Sequence, residues 1–148
     1  MIRPYTSKDK QELLALLKLN IPKYFAAAEE SDFREYLEQH VEDYYVYETD
    51  GQILASGGIN YFPDAGQARI SWDIVHPDFQ GRGIGKKLTQ HRIDRIKSNP
   101  TINLIMVRTT QLVYPFYEKM GFVLEKIEKD FWAEGFDLYQ MIMPLEKE

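Results

Sequence analysis

The hydrophobic positions of the first forty residues recur with helical spacing, after a short strand predicted at residues 2–5. The first helix follows Thr6–Asp9, where an acidic residue three positions after a threonine is typical of a capping box. It carries leucines at positions 13, 14, 16 and 17 and ends before Pro22. A second helix is predicted to begin at Ser31 or Asp32, because its apolar residues share one helical face: Phe33, Tyr36, Leu37 and Val41.

From residue 44 onwards the apolar spacing changes to that of β-strands. Two strands, Tyr44–Glu48 and Ile53–Asn60, flank Asp50-Gly51, which is a strong signal for a hairpin turn. A third strand follows the turn at residues 63–66, and its alternate residues are apolar: Ala68, Ile70, Trp72 and Ile74. The three strands predict an antiparallel meander, in which Asp73 faces away from Trp72 and Ile74.

The second half of the chain adds a crossover helix and the closing strands. A helix over about Ile84–Lys97 lies between the third strand and a strand at Asn103–Arg108, which predicts parallel pairing. The remaining elements are a short helix and two strands, at Val113–Met120, Phe122–Glu128 and Leu138–Met143. The pattern predicts one α/β domain over residues 1–148, with a mixed, largely antiparallel sheet of about seven strands and about four helices.

Composition narrows the class of protein. Hydrophobic residues make up 44% and charged residues 28%, which is ordinary for a globular chain. The chain has no cysteine, so a disulfide framework or a thiolate zinc site is excluded, and its three histidines show no metal-ligand spacing. No apolar run reaches 18 residues, and residues 1–5 lack the apolar stretch of a signal peptide. We therefore expect a cytoplasmic protein without a metal or a membrane partner, and leave its oligomeric state open between monomer and homodimer.

The charge is unevenly distributed along the chain. A net charge of −5 argues against a nucleic-acid partner. Residues 80–97 nevertheless carry +5, which leaves −10 on the rest, and their six basic residues are Arg82, Lys86, Lys87, Arg92, Arg95 and Lys97. A local basic segment on an acidic chain suggests a small anionic ligand, although such a run is also typical of a solvated helix face.

The residues that precede the crossover helix are suited to binding phosphate. Glycine lets the backbone approach a phosphate closely, and the first turn of a helix offers unpaired N–H groups and a positive dipole end. Gly81-x-Gly83-x-Gly85, between a strand and a helix, supplies both. The spacing differs from a P-loop, which needs four residues before Gly-Lys, and from a dinucleotide fingerprint, which needs glycine at position 86 or 88.

The loop does fit the pattern Gln/Arg-x-x-Gly-x-Gly/Ala, and at this point the chain resembles the GNAT N-acetyltransferase superfamily. Upstream, Val75-His76-Pro77 is similar to the Val-x-Pro with which that family often ends its fourth strand. Downstream, Phe116–Phe122 is similar to the family's (Leu/Phe)-Tyr-Glu-Lys-x-Gly-Phe. The predicted order of elements also matches that fold along nearly the whole chain.

The resemblance implies acetyl-CoA as co-substrate, with its pantetheine arm between a central pair of parallel strands that splay apart. It implies contacts of the pantetheine with the backbone of Ile74 and Val75. It places the pyrophosphate on the loop amides from Gly81 to Lys86. It assigns the whole motif to cofactor binding: Gln80, Gly81, Arg82, Gly83, Ile84, Gly85 and Lys86. The family often has an asparagine several residues before the tyrosine of the next helix, whereas this chain reads Thr109-Thr110-Gln111. Thr110 is therefore the candidate for a hydrogen bond to the pantetheine.

Acetyl transfer to an amine needs a proton acceptor and a proton donor. An alkyl amine, with a pKa of about 10.4, must lose a proton before it attacks, and the thiolate that leaves must gain one. Tyr117 resembles the family's general acid, and Asp73 resembles a carboxylate that often acts as its base. The alternatives are that Tyr117 packs in the core and that Asp73 pairs with a neighbouring cation. His76 is a weaker candidate, because a histidine before proline is usually structural.

The acceptor is expected to be a primary amine of a small molecule or a peptide, and the acidic balance outside residues 80–97 weakly favours a cationic one. The aromatic segment Phe131–Tyr139 either lines the acceptor groove, with Glu134 or Asp137 attracting the amine, or covers the core as a loop. The alternative function is a CoA-binding module without turnover. A hydrolase is disfavoured, because no Gly-x-Ser-x-Gly elbow is present.

Overall fold

The computed structural model describes residues 1–146, which form one seven-stranded sheet with two helices on each face. The strands are β1 (Ile2–Pro4), β2 (Asp43–Thr49), β3 (Gln52–Phe62), β4 (Gln67–Val75), β5 (Leu104–Thr109), β6 (Val123–Ala133) and β7 (Phe136–Pro144). The helices are α1 (Lys10–Lys18), α2 (Glu29–Glu35), α3 (Ile84–Lys97) and α4 (Tyr114–Lys119). None of these helices is long and apolar enough to cross a membrane.

The sheet has the strand order β1-β2-β3-β4-β5-β7-β6, and only β4 and β5 pair in parallel. This confirms the predicted mixed sheet and its central parallel pair. The parallel register runs from Gln67 opposite Leu104 to Ile70 opposite Val107 and ends there. Beyond these residues the two strands separate, so a cleft opens between the last part of β4 and the end of β5.

The core is divided between the two faces of the sheet. On one face α1 and α2 cover a cluster with the buried residues Leu13, Leu17, Phe33, Val46 and Ile74. On the other, α3 and α4 cover a cluster with Ile70, Leu88, Ile93, Ile105 and Tyr117. Because both faces of β4 are buried, the residues of this strand contact both pairs of helices.

A β-bulge at Trp72 changes the direction of the side chains along β4. Trp72 has a φ of 50°, and Gly58 of β3 lies opposite Ser71 whereas Ser56 lies opposite Ile74, so β4 contains one extra residue. Before the bulge Ile70 faces α3, and after it Ile74 faces α1 and α2. The uninterrupted alternation predicted over residues 68–74 is therefore wrong at Trp72, although Asp73 does face away from Trp72 and Ile74.

The second helix begins earlier than predicted. The α2 helix starts at Glu29 instead of Ser31 or Asp32, because the Glu29 carboxylate reaches back to accept the Ala26 N–H at 3.0 Å. Its last turn widens to a π-helical turn over Tyr36–His40. Val41, which was predicted on the helical face, is extended, with φ −68° and ψ 133°.

Candidate active site

The separation of β4 and β5 leaves a cavity of about 1090 Å³ in the middle of the sheet. Ten of the twelve residues singled out in the sequence line it: Asp73, Ile74, Val75, Gln80, Gly81, Gly83, Gly85, Lys86, Thr110 and Tyr117. The other two, Arg82 and Ile84, do not. Arg82 stacks on Phe79, with its guanidinium carbon 4.9 Å from the ring centre, and the Ile84 side chain is buried in the core. At position 84, therefore, only the backbone can contact a ligand bound in the loop.

The glycine loop forms a cradle of backbone amides at one mouth of this cavity. Gly81 and Gly83 have φ values of 77° and 82°, which lie in the left-handed region, and α3 starts directly after Gly83. The first amides of α3 have no partner within the helix, and its hydrogen bonds begin with the Lys87 N–H, which donates to the Gly83 carbonyl at 3.0 Å. Unpaired amides and the Lys86 side chain fit a pyrophosphate group.

Close packing holds the cradle against β4. A Cβ on Gly85 would lie 3.5 Å from Cγ2 of Val75, so α3 meets the end of this strand at van der Waals distance. On the other side the Tyr24 hydroxyl donates to Oε1 of Gln80 at 3.1 Å. The loop is therefore positioned where the cleft between β4 and β5 opens.

A buried ionic network lies at the centre of the cavity. Arg92 of α3 is 1% exposed and donates to one carboxylate oxygen of Asp73, while the Tyr117 hydroxyl of α4 donates to the other. Arg92 also donates to the carbonyl oxygens of Gly58, at 3.1 Å, and Leu88, at 3.2 Å. Asp73 thus joins β4 to both helices on that face, and it does pair with a cation, the alternative considered for it.

The close approach of Arg92 and Asp73 requires a glycine on the neighbouring strand. A Cβ on Gly57 would lie 2.6 Å from Oδ1 of Asp73 and 2.7 Å from the guanidinium carbon of Arg92. These distances are shorter than non-bonded atoms tolerate. Gly57 therefore provides the space in which the ion pair lies.

Burial determines the protonation states of the network. Burial raises the pKa of Tyr117 well above 10, and the negative charge of Asp73 raises it further. Burial lowers the pKa of Arg92, but the Asp73 charge outweighs burial and the net shift is upward. At neutral pH Tyr117 is thus a neutral proton donor and Arg92 is a cation.

Arg92 is the central residue that sequence reasoning did not single out. The sequence contained a signal for it, because Arg92 follows Leu88 by four positions and Ile84 by eight, which places it on the buried face of α3. A charged residue in an apolar stripe needs a partner of opposite charge. Because residues 80–97 contain five other basic residues, Arg92 was grouped with the solvated cations, and its burial was not predicted.

Two further sequence candidates have clear local contacts. The Thr110 hydroxyl oxygen accepts the Leu112 N–H at 3.2 Å and faces the cavity, so its own hydrogen remains available to donate. Nδ1 of His76 accepts the Asp78 N–H at 3.1 Å. This bond shapes the turn after β4 and agrees with a structural role for His76.

The aromatic segment near the end of the chain is a β-hairpin between β6 and β7, so it is not the loop over the core that was considered. Trp132 lines the cavity and donates from its indole nitrogen to the Thr109 carbonyl at 3.2 Å. Glu134 lies exposed near the hairpin turn, and Asp137 accepts the Asp130 N–H at 2.9 Å. Neither acid lines the cavity. Among residues 1–146 no group of three metal-ligating side chains is assembled.

A mixed sheet with one central parallel pair, a cleft where that pair ends and a glycine loop beside the cleft is the arrangement that the sequence resemblance implies. Residues 9–145 match the family model of the acetyltransferase (GNAT) domain, and the chain belongs to this family. The family predicted from the loop and its flanking motifs is therefore confirmed.

The relatives of this chain contain the same domain in proteins of different length. The chain is 31% identical over 122 residues to an amino-acid acetyltransferase of Mannheimia succiniciproducens, which covers 78% of this chain but 27% of that protein. The fold of this chain is similar to that of the ribosomal-protein-S18-alanine N-acetyltransferase of Escherichia coli. The TM-score is 0.82 and the identity 16%, and the match covers 100% of this chain and 95% of that one. The fold is also similar to that of Neisseria gonorrhoeae N-acetylglutamate synthase in complex with coenzyme A and N-acetyl-glutamate, with a TM-score of 0.78, 23% identity, and coverage of 99% of this chain and 35% of that one. The chain thus spans about a quarter of the length of the curated relative.

We expect Gly57→Ala to destabilise the protein, because the new methyl group would overlap Asp73 and Arg92. Overpacking of this kind costs about 1–3 kcal/mol. Urea unfolding would measure the loss, with Gly85→Ala as the control, since its Cβ would make ordinary contacts at 3.5 Å. A Gly57→Ala variant as stable as the parent would contradict the packing described for the ion pair.

We expect the stability of the protein to fall as the pH rises above 10, because Tyr117 keeps its proton in the folded state beyond the pH at which an unfolded tyrosine loses it. A raised pKa in the folded state contributes stability below the unfolded pKa, and this contribution is lost towards the folded pKa. Each such group adds a slope of about 1.4 kcal/mol per pH unit. Tyr117→Phe should flatten the slope measured by urea unfolding between pH 9 and 11, and an unchanged slope would contradict this assignment.

Proposed function

We propose that this chain transfers an acetyl group from acetyl-CoA to a primary amine of a small molecule or a peptide, by direct attack of the amine on the thioester. The observation that carries the proposal is the cleft between β4 and β5, which has the glycine cradle at its mouth and Tyr117 in its lining. A cradle alone would support only binding. A buried proton donor within the same cavity supports catalysis.

Family membership and the relatives support acetyl-CoA as the donor. The similar N-acetylglutamate synthase was solved with coenzyme A, and the other two relatives described above are named as acetyltransferases. The names of these proteins point to different acceptors, an amino acid in one case and a ribosomal protein in another. Membership of the family therefore does not select the acceptor of this chain.

The side chains of the cavity suit the proton transfers of this reaction. The amine nitrogen forms a bond to the thioester carbonyl carbon, the carbon–sulfur bond breaks, and the sulfur needs a proton. We assign that proton to Tyr117, which stays neutral because of its burial and the Asp73 charge. Acetyl-CoA would bind through the amides of Gly81–Lys86, the backbone of Ile74 and Val75, and the hydroxyl of Thr110.

Asp73 is assigned as the proton acceptor for the amine, directly or through a water molecule. Its two oxygens already accept from Arg92 and Tyr117. An ionised carboxylate has about four lone-pair sites, so about two remain for a further hydrogen bond. Its side chain is 20% exposed and lines the cavity, which allows that contact. A location in the cytoplasm fits a cysteine-free chain that uses acetyl-CoA, and belongs to the same proposal.

We expect saturating acetyl-CoA to raise the melting temperature by several degrees, because ligand at a hundred times its Kd stabilises by about 2.7 kcal/mol.

Gly83→Ala should weaken acetyl-CoA binding roughly tenfold, since a left-handed residue of the cradle would become strained. Gly51→Ala is the matched control: Gly51 has a φ of 77°, close to the 82° of Gly83, and neither has an atom within 4 Å of its Cβ position, but Gly51 lies in the β2–β3 turn.

The thermal shift must be specific for coenzyme A and its thioesters. An equal shift with ATP or NAD, or equal losses of affinity in Gly83→Ala and Gly51→Ala, would remove the support for the cradle. Thiol release in the presence of amines then measures turnover. Release of coenzyme A at the same rate with and without amine would instead indicate a hydrolase.

We expect Tyr117→Phe to lower the rate of acetyl transfer by roughly 10²–10⁴, the usual contribution of general acid–base catalysis, with unchanged affinity for acetyl-CoA. Tyr114→Phe is the matched control, because it removes a hydroxyl from the same helix outside the cavity. Thiol release gives the rates, and the thermal shift gives the affinity. Equal, measurable rates in the parent and Tyr117→Phe would contradict the assignment of Tyr117 as the proton donor. Binding of acetyl-CoA with no thiol release in the parent would favour a module that binds coenzyme A without turnover.

A further inference from the structure

Two arginines lie side by side in the half of the cavity opposite the glycine cradle. Arg69 of β4 lies opposite Met106 of β5, and Arg108 follows Met106 by two residues. Because the flanking pairs on these strands face α3, Arg69 and Arg108 both point to the α1/α2 side of the sheet. Both side chains line the cavity at the point where the two strands begin to separate.

Neither guanidinium has an acidic partner among residues 1–146. The Nε atom of each is buried and finds no hydrogen-bond acceptor, and no carboxylate oxygen comes within 4.0 Å of either group. Of the five other arginines, Arg82 stacks on Phe79 at the surface of the loop, and the remaining four pair with an acid: Arg3, Arg34, Arg92 and Arg95. Charged groups inside a protein are normally paired, so two guanidinium groups without an acid in one cavity indicate an anionic ligand.

Aromatic rings hold the two guanidinium groups in place. The guanidinium carbon of Arg69 lies 4.4 Å from the ring centre of Phe62. That of Arg108 lies 4.9 Å from the centre of Phe131 and 5.8 Å from the centre of Trp132. Because the Nε atoms are buried, the terminal N–H groups of the two guanidinium groups are the ones that can donate to a carboxylate in the cavity.

The two cations are also close enough to repel each other. Burial lowers the pKa of Arg108, the charge of Arg69 lowers it further, and only Glu128 acts in the opposite direction. An anion between the two groups would relieve this repulsion. Among the described residues, two acids other than Asp73 line the cavity, and both already accept hydrogen bonds. Glu42 accepts from the side-chain amide of Asn60 at 2.9 Å and from the Tyr61 N–H at 3.0 Å, and Glu29 accepts from the Ala26 N–H at 3.0 Å.

We propose that the acceptor is a small amino carboxylate, whose carboxylate binds between Arg69 and Arg108 while its amine lies near the bulge at Trp72. Arg69 precedes Trp72 by three residues, which is roughly 10 Å along a strand. Because the Arg69 side chain is long, the distance between its guanidinium and an amine near Trp72 is shorter than that. The spacing suits a free amino acid or a compound of similar size. This inference names the acceptor class for the acetyl transfer proposed above and rests on it.

The test compares acceptors that differ only in the carboxylate. Thiol release from acetyl-CoA is measured with the common L-amino acids and with the carboxamide of each. We expect at least one amino acid to exceed its own amide roughly tenfold or more in kcat/KM, because charge-assisted bonds to a carboxylate are lost in the amide. Arg69→Gln and Arg108→Gln should each raise the KM for the amino acid while they leave the rate with the amide nearly unchanged.

Arg95→Gln is the matched control, because it makes the same substitution on α3 outside the cavity. The acetyl-CoA thermal shift shows that each variant is folded and retains its cradle. Transfer to amides, or to peptides with a blocked C-terminus, at rates equal to those of amino acids would overturn the inference and leave acetyl transfer standing. A preference for amino acids that survives in both arginine variants would overturn it as well. No transfer to any amine would count against both proposals.

Discussion

The buried charge of Arg92 is the constraint on which the centre of this molecule depends. A guanidinium that is 1% exposed must be paired and hydrogen-bonded, since leaving it alone in the interior would cost several kcal/mol. Asp73 supplies the charge, and the carbonyl oxygens of Gly58 and Leu88 supply further acceptors. Because these groups come from β3, β4 and α3, satisfying one side chain fixes three elements relative to one another. Tyr117 adds α4 to the same carboxylate, so its hydroxyl is placed by the network and not by its own helix alone.

The bulge at Trp72 makes that network compatible with an open cleft. Without the extra residue, Asp73 would keep the alternation of Arg69 and Ser71 and point towards α1 and α2, away from Arg92. The parallel pairing with β5 ends at Ile70, immediately before the bulge. Within the described chain, the edge of β4 that faces β5 therefore has no ladder partner beyond this point. Unpaired backbone groups need acceptors and donors from elsewhere, which is the condition for a bound pantetheine to pair with the strand.

The sequence allowed the order of elements, the parallel pair and the glycine loop before α3 to be predicted, because each depends on local signals: turn residues, apolar periodicity, and glycines before a helix. What could not be predicted depends on contacts between distant segments. The bulge at Trp72 has no local signal in an otherwise alternating strand. Glu29 starts α2 through a bond to Ala26, a residue that is not a usual helix cap. The role of Arg92 was accessible from its spacing, but only an assembled core shows that Asp73 is the partner.

The arrangement of charge inside the cavity matters more than the net charge of the chain. The charge of −10 outside residues 80–97 favours cations at long range, and this was the basis for expecting a cationic acceptor. Exposed charges farther than about 8–10 Å are largely screened at physiological salt, so a ligand within the cleft experiences mainly the groups that line it. Arg92 is neutralised there by Asp73, whereas Arg69 and Arg108 are not paired. The field at that end of the cleft is therefore positive, and an acceptor that carries only an ammonium group would be repelled from the place where these two arginines lie.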